Sequence, residues 1–487
     1  MYARRMRRFV DPKPPFPSEE VLELLNTRFS GRCMLPRLYD IRWITATQEQ
    51  VELMLPLIVS PTLTNFRLGL DILDPSDASS VIPALEALAP AYNSLVEIRI
   101  SGPTAHDPQT IRAVSTLLLR CNPDKLRCFS MVSALSAEAF IHATQLPNLK
   151  EFIITTDTTE LDVPLPTSVF PSLKSLGINA NDTDLTLLQI ITHIQSRSLR
   201  SLDLEFPAAA VGTFLPTTLA ALRPQGLHQT LTGLSISPEG DYDLDGATLQ
   251  PLLSLNQLTR LEITLLCNPE RCSYKLSDED LEELVKAMPK LELLLLGPFP
   301  CSHPANVTVK SLVSIAKNCK HLEELIIHTN VEAIVAGVAG VAQPGDWEED
   351  TVLGDPLSAF EGCPLRDILF GPCPIPGGQR GMMVFALTLL RLFPCLVGVT
   401  ALPLSQDREP QWESVNGLIN TYRRVRINIA AAGKFRSSLP CTKFAHVRQL
   451  LTIWMPTKSC VSSPFSVPVC TLSRLVLIKK SEGENHS

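Results

Sequence analysis

Apolar residues recur along most of this chain in one fixed six-residue order, apolar-x-x-apolar-x-apolar. The copies begin with Leu38/Ile41/Trp43, Leu63/Phe66/Leu68, Leu95/Ile98/Ile100 and Leu126/Phe129/Met131. They continue with Leu149/Phe152/Ile154, Leu173/Leu176/Ile178, Leu199/Leu202/Leu204 and Leu231/Leu234/Ile236. Leu258/Leu261/Ile263, Leu291/Leu294/Leu296, Leu322/Leu325/Ile327 and Leu365/Ile368/Phe370 complete twelve, and Leu396/Val399/Ala401 is a thirteenth, weaker copy. First positions follow one another at intervals of 23 to 43 residues, about 30 on average. The alternation at the end of each copy predicts a short strand.

The stretches between copies change period. Ser277 stands before Asp278, Glu279 and Asp280, then come Leu281, Leu284, Val285 and Met288, with Pro289 after them. That is an N-cap, an acidic first turn, an apolar stripe at helical spacing and a stop. Thr308 with Leu312, Ile315, Ala316 and Cys319 repeats the arrangement, as do Leu187, Ile190, Ile191 and Ile194. A lone strand–turn–helix unit cannot bury two apolar faces, whereas stacked units share one core. The predicted fold class is therefore α/β: a leucine-rich-repeat solenoid, or horseshoe, of about 12 strand–helix repeats, with a parallel concave sheet and helices on the convex side. One solenoid replaces the three or so domains that 487 residues would otherwise suggest.

The expected organisation is an N-terminal helical cap over 1–34, the solenoid over 35–431 and a tail over 432–487. Within the solenoid the longest interval holds an insert, 333–356, rich in Gly and ending in the acidic Asp346, Glu348, Glu349 and Asp350. It reads as a surface loop or a disordered insert. The Asn that usually follows such a strand is kept at Asn181 and Asn330, with Asp71 and Asp157 as substitutes. The tail carries eight Lys/Arg against two Glu and loses both periodicities. It reads as a cap, a disordered basic arm, or sequence foreign to the native coding region.

In each copy the third and fifth residues point away from the core. The fifth positions, in order, are Arg42, Arg67, Arg99, Ser130, Ile153, Gly177, Asp203, Ser235, Glu262, Leu295, Ile326 and Leu369. This row is basic at one end, acidic in the middle and apolar at the other end. Strands about 4.8 Å apart would set the three Arg against one another. Asp40, Asn65 and Glu97, at the neighbouring third positions, are placed to offset them; otherwise Arg42, Arg67 and Arg99 are candidate partner-binding residues. At the apolar end Leu293, Leu295, Ile326 and Leu369 form a candidate partner-binding patch, since contiguous exposed apolar surface marks interaction sites. The insert or the tail folding over it is the competing expectation. Charge substitutions at Leu295 and Ile326 are expected to abolish binding without unfolding the chain.

Composition narrows the function further. The chain is 45% hydrophobic and 19% charged with net charge −7, so it is not disordered as a whole and carries no global basic balance for nucleic acid. No apolar run reaches 18 residues, so no membrane helix is expected. Arg4, Arg5, Arg7 and Arg8 read as a solvated basic helix end rather than a presequence, because Pro12, Pro14, Pro15 and Pro17 cut the stretch short. The 13 Cys include no C-x-x-C, and the closest pair, Cys267 and Cys272, has no His near it in sequence. Reduced, buried thiols and a cytoplasmic or nuclear location are expected.

Candidate chemistry is sparse. Asp241, Asp243, Asp245 and Gly246 match half of a calcium loop, but Leu252 stands where the bidentate Glu belongs, so a polar turn with Asp245 near a helix N-cap is the better reading. The Gly-rich Gly371–Gly381 stretch lacks either phosphate-binding pattern and reads as a turn-rich connection. No catalytic motif is present, so no enzyme, no cofactor and no metal are expected, and the partner is a protein.

Four stretches point to a family. Tyr2-Ala-Arg-Arg-Met-Arg-Arg-Phe9, Met34-Leu-Pro-Arg-Leu38, Leu146-Pro-Asn-Leu-Lys150 and Leu390-Arg-Leu-Phe-Pro394 give the chain, over residues 1–430, a resemblance to the fungal F-box-type leucine-rich-repeat proteins. These are substrate receptors of Skp–cullin–F-box ubiquitin ligases. The resemblance implies an intracellular protein that binds a substrate protein and leaves catalysis to its partners. The F-box itself, the helical module that binds the Skp adaptor, is not found. Residues 18–26 form a capped helix too short for it, and the chain looks as if it starts just after that module. The adaptor is then a partner only if an F-box lies upstream. A stand-alone scaffold or inhibitor is the alternative.

Overall fold

The computed structural model describes residues 5–433 apart from 11–16, 30–32, 71–80, 106, 157–165, 167–168, 181–184, 195–196, 207–213, 223–225, 239–242, 266–271, 273, 299–300, 302, 304, 332–362, 372–374, 376–377 and 402–408. The insert 333–356, the tail from 434, and Asp71, Asp157, Asn181 and Asp241 lie outside the described residues. The chain divides into two units, Met1–Arg424 and Val425–Ser487, and the first holds every strand among the described residues.

Every copy of the six-residue pattern becomes a strand, which begins two residues after the copy's first apolar position. The strands are β2 (Asp40–Ala46), β3 (Asn65–Leu70), β4 (Glu97–Ala105), β5 (Cys128–Ser133), β6 (Glu151–Thr156), β7 (Ser175–Ala180) and β8 (Ser201–Phe206). They continue as β9 (Gly233–Pro238), β10 (Arg260–Leu265), β11 (Leu293–Pro298), β12 (Glu324–Ile327), β13 (Asp367–Phe370) and β14 (Gly398–Ala401). The weaker thirteenth copy pairs as regularly as the others. A further strand, β1 (Arg8–Val10), precedes them. All lie in one 14-stranded sheet whose spatial order is the chain order, and each pairing is parallel.

Parallel neighbours need a crossover, and short helices supply most of them. These are α1 (Glu19–Phe29), α2 (Gln48–Ile58), α3 (Val81–Ala87), α4 (Pro108–Arg120), α5 (Ala137–Gln145) and α6 (Leu185–His193). Then come α7 (Phe214–Ala221), α8 (Gly246–Leu249), α9 (Asp278–Ala287), α10 (Val309–Asn318), α11 (Gly378–Leu392) and α12 (Glu409–Gly433). The fourth position of every copy, from Ile41 and Phe66 to Ile368 and Val399, is at most 1% exposed. Those side chains and the apolar stripes of the helices form one continuous core. Burying each such residue is worth about 1.5–3 kcal/mol, so the repeated pattern is the main source of stability.

Polar groups join successive repeats. Ser60, Ser94 and Ser198 donate to the carbonyls of Leu38, Leu63 and Leu173, each the first apolar residue of the preceding copy. Ser277 and Asp280 form a capping box on α9, and Thr308 caps α10. Asp278 accepts hydrogen bonds from the backbone and hydroxyl groups of both Thr308 and Ser311, tying the start of α9 to that of α10. Burial pushes the Asp278 carboxyl up, but these four donors outweigh it and hold it below the ordinary aspartate range. Where β2 breaks register between Trp43 and Ala46, Gly69 is required: a Cβ there would stand 2.1 Å from the Ile44 carbonyl oxygen.

The two ends of the sheet differ from the sequence expectation. The Arg-rich start is not a helix end. Arg8–Val10 is extended and pairs with β2, because Arg8 reaches Asp40 at 3.8 Å and donates to the Tyr39 hydroxyl at 2.8 Å, while Phe9 meets the Trp43 ring edge-on. At the far end α12 extends to Gly433, two residues into the segment read as aperiodic tail. Its Trp412 packs on Phe370 and Phe385, and Val415 and Ile419 are buried. Asn416 satisfies both backbone groups of Val399 on the outer side of β14, which caps that edge at its middle.

Candidate functional site

The strand register fixes the outward row. Arg42, Arg67, Arg99 and Ser130 stand on neighbouring strands in direct register, followed by Ile153, Gly177, Asp203, Ser235 and Glu262. Leu295, Ile326 and Leu369 close the row, with Thr400 beyond them. None of these residues belongs to the core cluster formed with the helices. The row therefore lies on the other face of the sheet.

At its N-terminal end the row is a ladder of ion pairs. Arg42 donates to Asp40, a carboxylate 2% exposed that also faces Arg8. Arg67 and Arg99 both donate to Glu97, at 2.7 and 2.6 Å. Arg99 then spans β5 and grips Glu151 with both terminal nitrogens, at 2.5 and 2.7 Å. Such a two-pronged pair is stronger and more directional than a single contact. Burial pushes the Glu97 carboxyl up, but the hydrogen bonds and charge of Arg67 and Arg99 prevail and hold it below the ordinary glutamate range. Beneath the bridge, burial and then the Glu151 charge push the Cys128 thiol up to about 12, so it stays protonated. Asp40 and Glu97 offset the row as the spacing predicts. Glu151 is the additional partner, two strands away from Arg99.

The middle of the row is acidic. Asp203 is exposed by area, yet protein atoms crowd it on the floor of the sheet. That desolvation holds its carboxyl above the ordinary range against the lowering pull of Ser235, and Glu205 and Glu262 add to the rise. Crowding, not surface area, sets the field this carboxylate feels.

The apolar end is less open than the pattern implies. Leu293, Leu295 and Leu369 are half-buried, and Ile326 is only 8% exposed. Ile326 is thus flanked in register by Leu295 and Leu369 and shielded, rather than standing free. The three-strand strip is about 10 Å across. Carboxylates border it: Glu262 precedes Leu295 in the row, and Glu324 and Asp367 occupy the third positions beside Ile326 and Leu369. Leu293 lies in that same neighbouring row, between Arg260 and Glu324.

The calcium-like segment is a helix cap. Asp245 accepts from the Thr248 backbone at the start of α8, Asp243 pairs with Lys275, and Leu252 is fully buried. Gly378–Gly381, read as part of a turn-rich connection, opens α11.

One cluster escaped the sequence reading. Cys272, Cys301 and His328 follow β10, β11 and β12, and their ligand-type atoms all lie within 4.8 Å of one another. The two sulfurs are 3.6 Å apart. A search for ligand pairs within one short window cannot find this set, because each residue comes from a different repeat. The available signal was the separation of 29 residues between Cys272 and Cys301, one repeat period.

No protein-family model matches this chain, and no characterised protein shows significant similarity to it. Among the described residues no helix is long and apolar enough to cross a membrane.

Proposed function

We propose that the chain is a protein-binding leucine-rich-repeat horseshoe, with the parallel sheet as its concave wall and the helices on the convex side. The observation that carries this reading is the row Leu295, Ile326 and Leu369 on three adjacent strands, outside the core and bordered by Glu262, Glu324 and Asp367. A half-buried apolar strip rimmed by carboxylates fits an apolar side chain flanked by Lys or Arg on a partner protein. Arg42, Arg67 and Arg99, on β2 to β4 away from that strip, are bound to internal carboxylates and contribute structure rather than binding energy. The chain's role is binding, not catalysis.

The finer reading is that this surface recognises the substrate of a Skp–cullin–F-box ubiquitin ligase in the cytoplasm or nucleus. It rests on the four stretches that resemble the fungal receptors. An F-box upstream would supply the link to the Skp adaptor. A second reading is a stand-alone scaffold or inhibitor, for which the same apolar strip would serve without ligase subunits. Affinity purification of the full chain from its own cells, with mass spectrometry, separates the two. Skp and cullin among the recovered proteins are the result expected for the receptor. One stoichiometric partner without ligase subunits overturns the receptor role and leaves the scaffold.

A further inference from the structure

We propose that Cys272, Cys301 and His328 bind a zinc ion that pins three successive repeats together at the carboxyl ends of β10, β11 and β12. This rests on the cluster's own geometry and is independent of the partner-binding reading.

The sulfur pair already has the spacing of a metal site. Zinc–sulfur bonds of about 2.3 Å in a tetrahedron place two sulfurs about 3.8 Å apart, and Cys272 and Cys301 stand at 3.6 Å. His328 is held as a ligating imidazole is held. Its Nε2 donates to the His303 carbonyl at 2.9 Å, which fixes the tautomer and leaves the lone pair on Nδ1. Among the described residues that Nδ1 has no hydrogen-bond partner, in a residue 1% exposed. Burial holds the imidazole below its ordinary range, so it is neutral near pH 7, as a ligand must be. The Tyr274 ring stands edge-on to His328 at 5.7 Å, and its buried hydroxyl is also without a hydrogen-bond partner among the described residues. A buried unsatisfied group calls for a water or an ion.

Gly371 keeps the place open. A Cβ there would stand 2.4 Å from His328 Nδ1. His303 Nδ1 lies 3.7 Å from Cys301 Sγ but stands outside the mutually close set, so the fourth position of the tetrahedron is left to a water. Two thiolates and imidazole nitrogen select zinc over the hard cations. Binding releases the two thiol protons to solvent, so affinity rises with pH.

The test is direct. Full-length protein, purified with reductant and without chelator, is equilibrated with zinc alone, freed of excess metal and analysed for zinc by mass spectrometry. About one equivalent per chain is expected. Cys272→Ser, at a half-buried position, is expected to lower it at least tenfold, while Cys395→Ser, at an exposed cysteine, leaves it unchanged. Cobalt in place of zinc should give thiolate charge-transfer absorption that Cys272→Ser removes. If the serine variant fails to fold, the wild-type chain decides alone: zinc added back after chelation should raise its melting temperature. Wild-type protein that takes up less than about a tenth of an equivalent, or zinc binding undiminished in a folded Cys272→Ser, overturns the proposal. So does a Cys272–Cys301 disulfide whose reduction restores no zinc uptake.

Discussion

The two ends of the outward row solve the same problem in opposite ways. Near β2 to β6 three arginines stand in register, and each is met by a carboxylate of this same chain: Arg42 by Asp40, Arg67 by Glu97, and Arg99 by Glu97 and Glu151. Near β11 to β13 the row is Leu295, Ile326 and Leu369, in which Ile326 is shielded only by leaving Leu295 and Leu369 half-buried on either side. A charged row is self-sufficient once its counter-ions are internal. An apolar row is not, and among the described residues only its neighbours in register flank it. Under the proposed function, binding energy belongs to the second region and the first is a structural device, although the Arg residues are the more conspicuous letters in the sequence.

The largest expected effect comes from crossing faces within one strand. Leu294 and Leu295 are neighbours on β11, but Leu294 is fully buried in the core and Leu295 is on the outward row. Leu294→Ala should cost about 3 kcal/mol in denaturant unfolding. Leu295→Ala should cost well under 1 kcal/mol. Equal costs would erase the distinction between the faces. Next in size is binding. Leu295→Lys and Leu369→Lys place a cation beside Glu262 and Asp367, which the fold accepts and a basic partner does not. Affinity for the captured partner should fall at least tenfold, about 1.4 kcal/mol, with the melting temperature nearly unchanged. Ile326 is the wrong position for this test, because at 8% exposure a charge there would have to be buried.

Breaking the ladder should give a smaller and different signature. Glu97→Gln leaves Arg67 and Arg99 short of a charged acceptor and should cost about 1 kcal/mol, since the arginines stay partly in water. Glu97 is held below its ordinary value of 4.5 in the folded chain. Its contribution is therefore fully present above about pH 4.5 and is lost as pH falls through the lower folded value. The variant should lose that share of the acid dependence, and partner affinity should not change. The smallest effect belongs to Arg42→Ala, about 0.3 kcal/mol, because its side chain is 45% exposed and Arg8 remains near Asp40.

Much of this was legible in the residues. All thirteen copies of the apolar pattern are strands, and the cap, acidic turn and apolar stripe at Ser277–Met288 mark α9 closely. These features are local and periodic, so one sequence carries them. What escaped notice depends on contacts between repeats. The strand at Arg8–Val10 is three residues long, too short to show an alternation, and exists because Tyr39, Asp40 and Trp43 receive it. Glu151 joins the ladder from two strands away. The shielding of Ile326 comes from its neighbours in register. Cys272, Cys301 and His328 meet only because stacking brings the ends of three strands together. The pattern within a repeat is written in one window, whereas a site assembled across repeats becomes visible only once the register is known.

The most direct test of the central claim is a paired capture. Full-length wild-type chain and the Leu295→Lys/Leu369→Lys variant are purified side by side from the same cells, and the bound proteins are quantified by mass spectrometry against the melting temperature of each bait. The account predicts a partner whose recovery falls at least tenfold on the variant, while the two baits melt together. Equal recovery from an equally stable variant would place binding somewhere other than the Leu295–Ile326–Leu369 strip and would contradict the account.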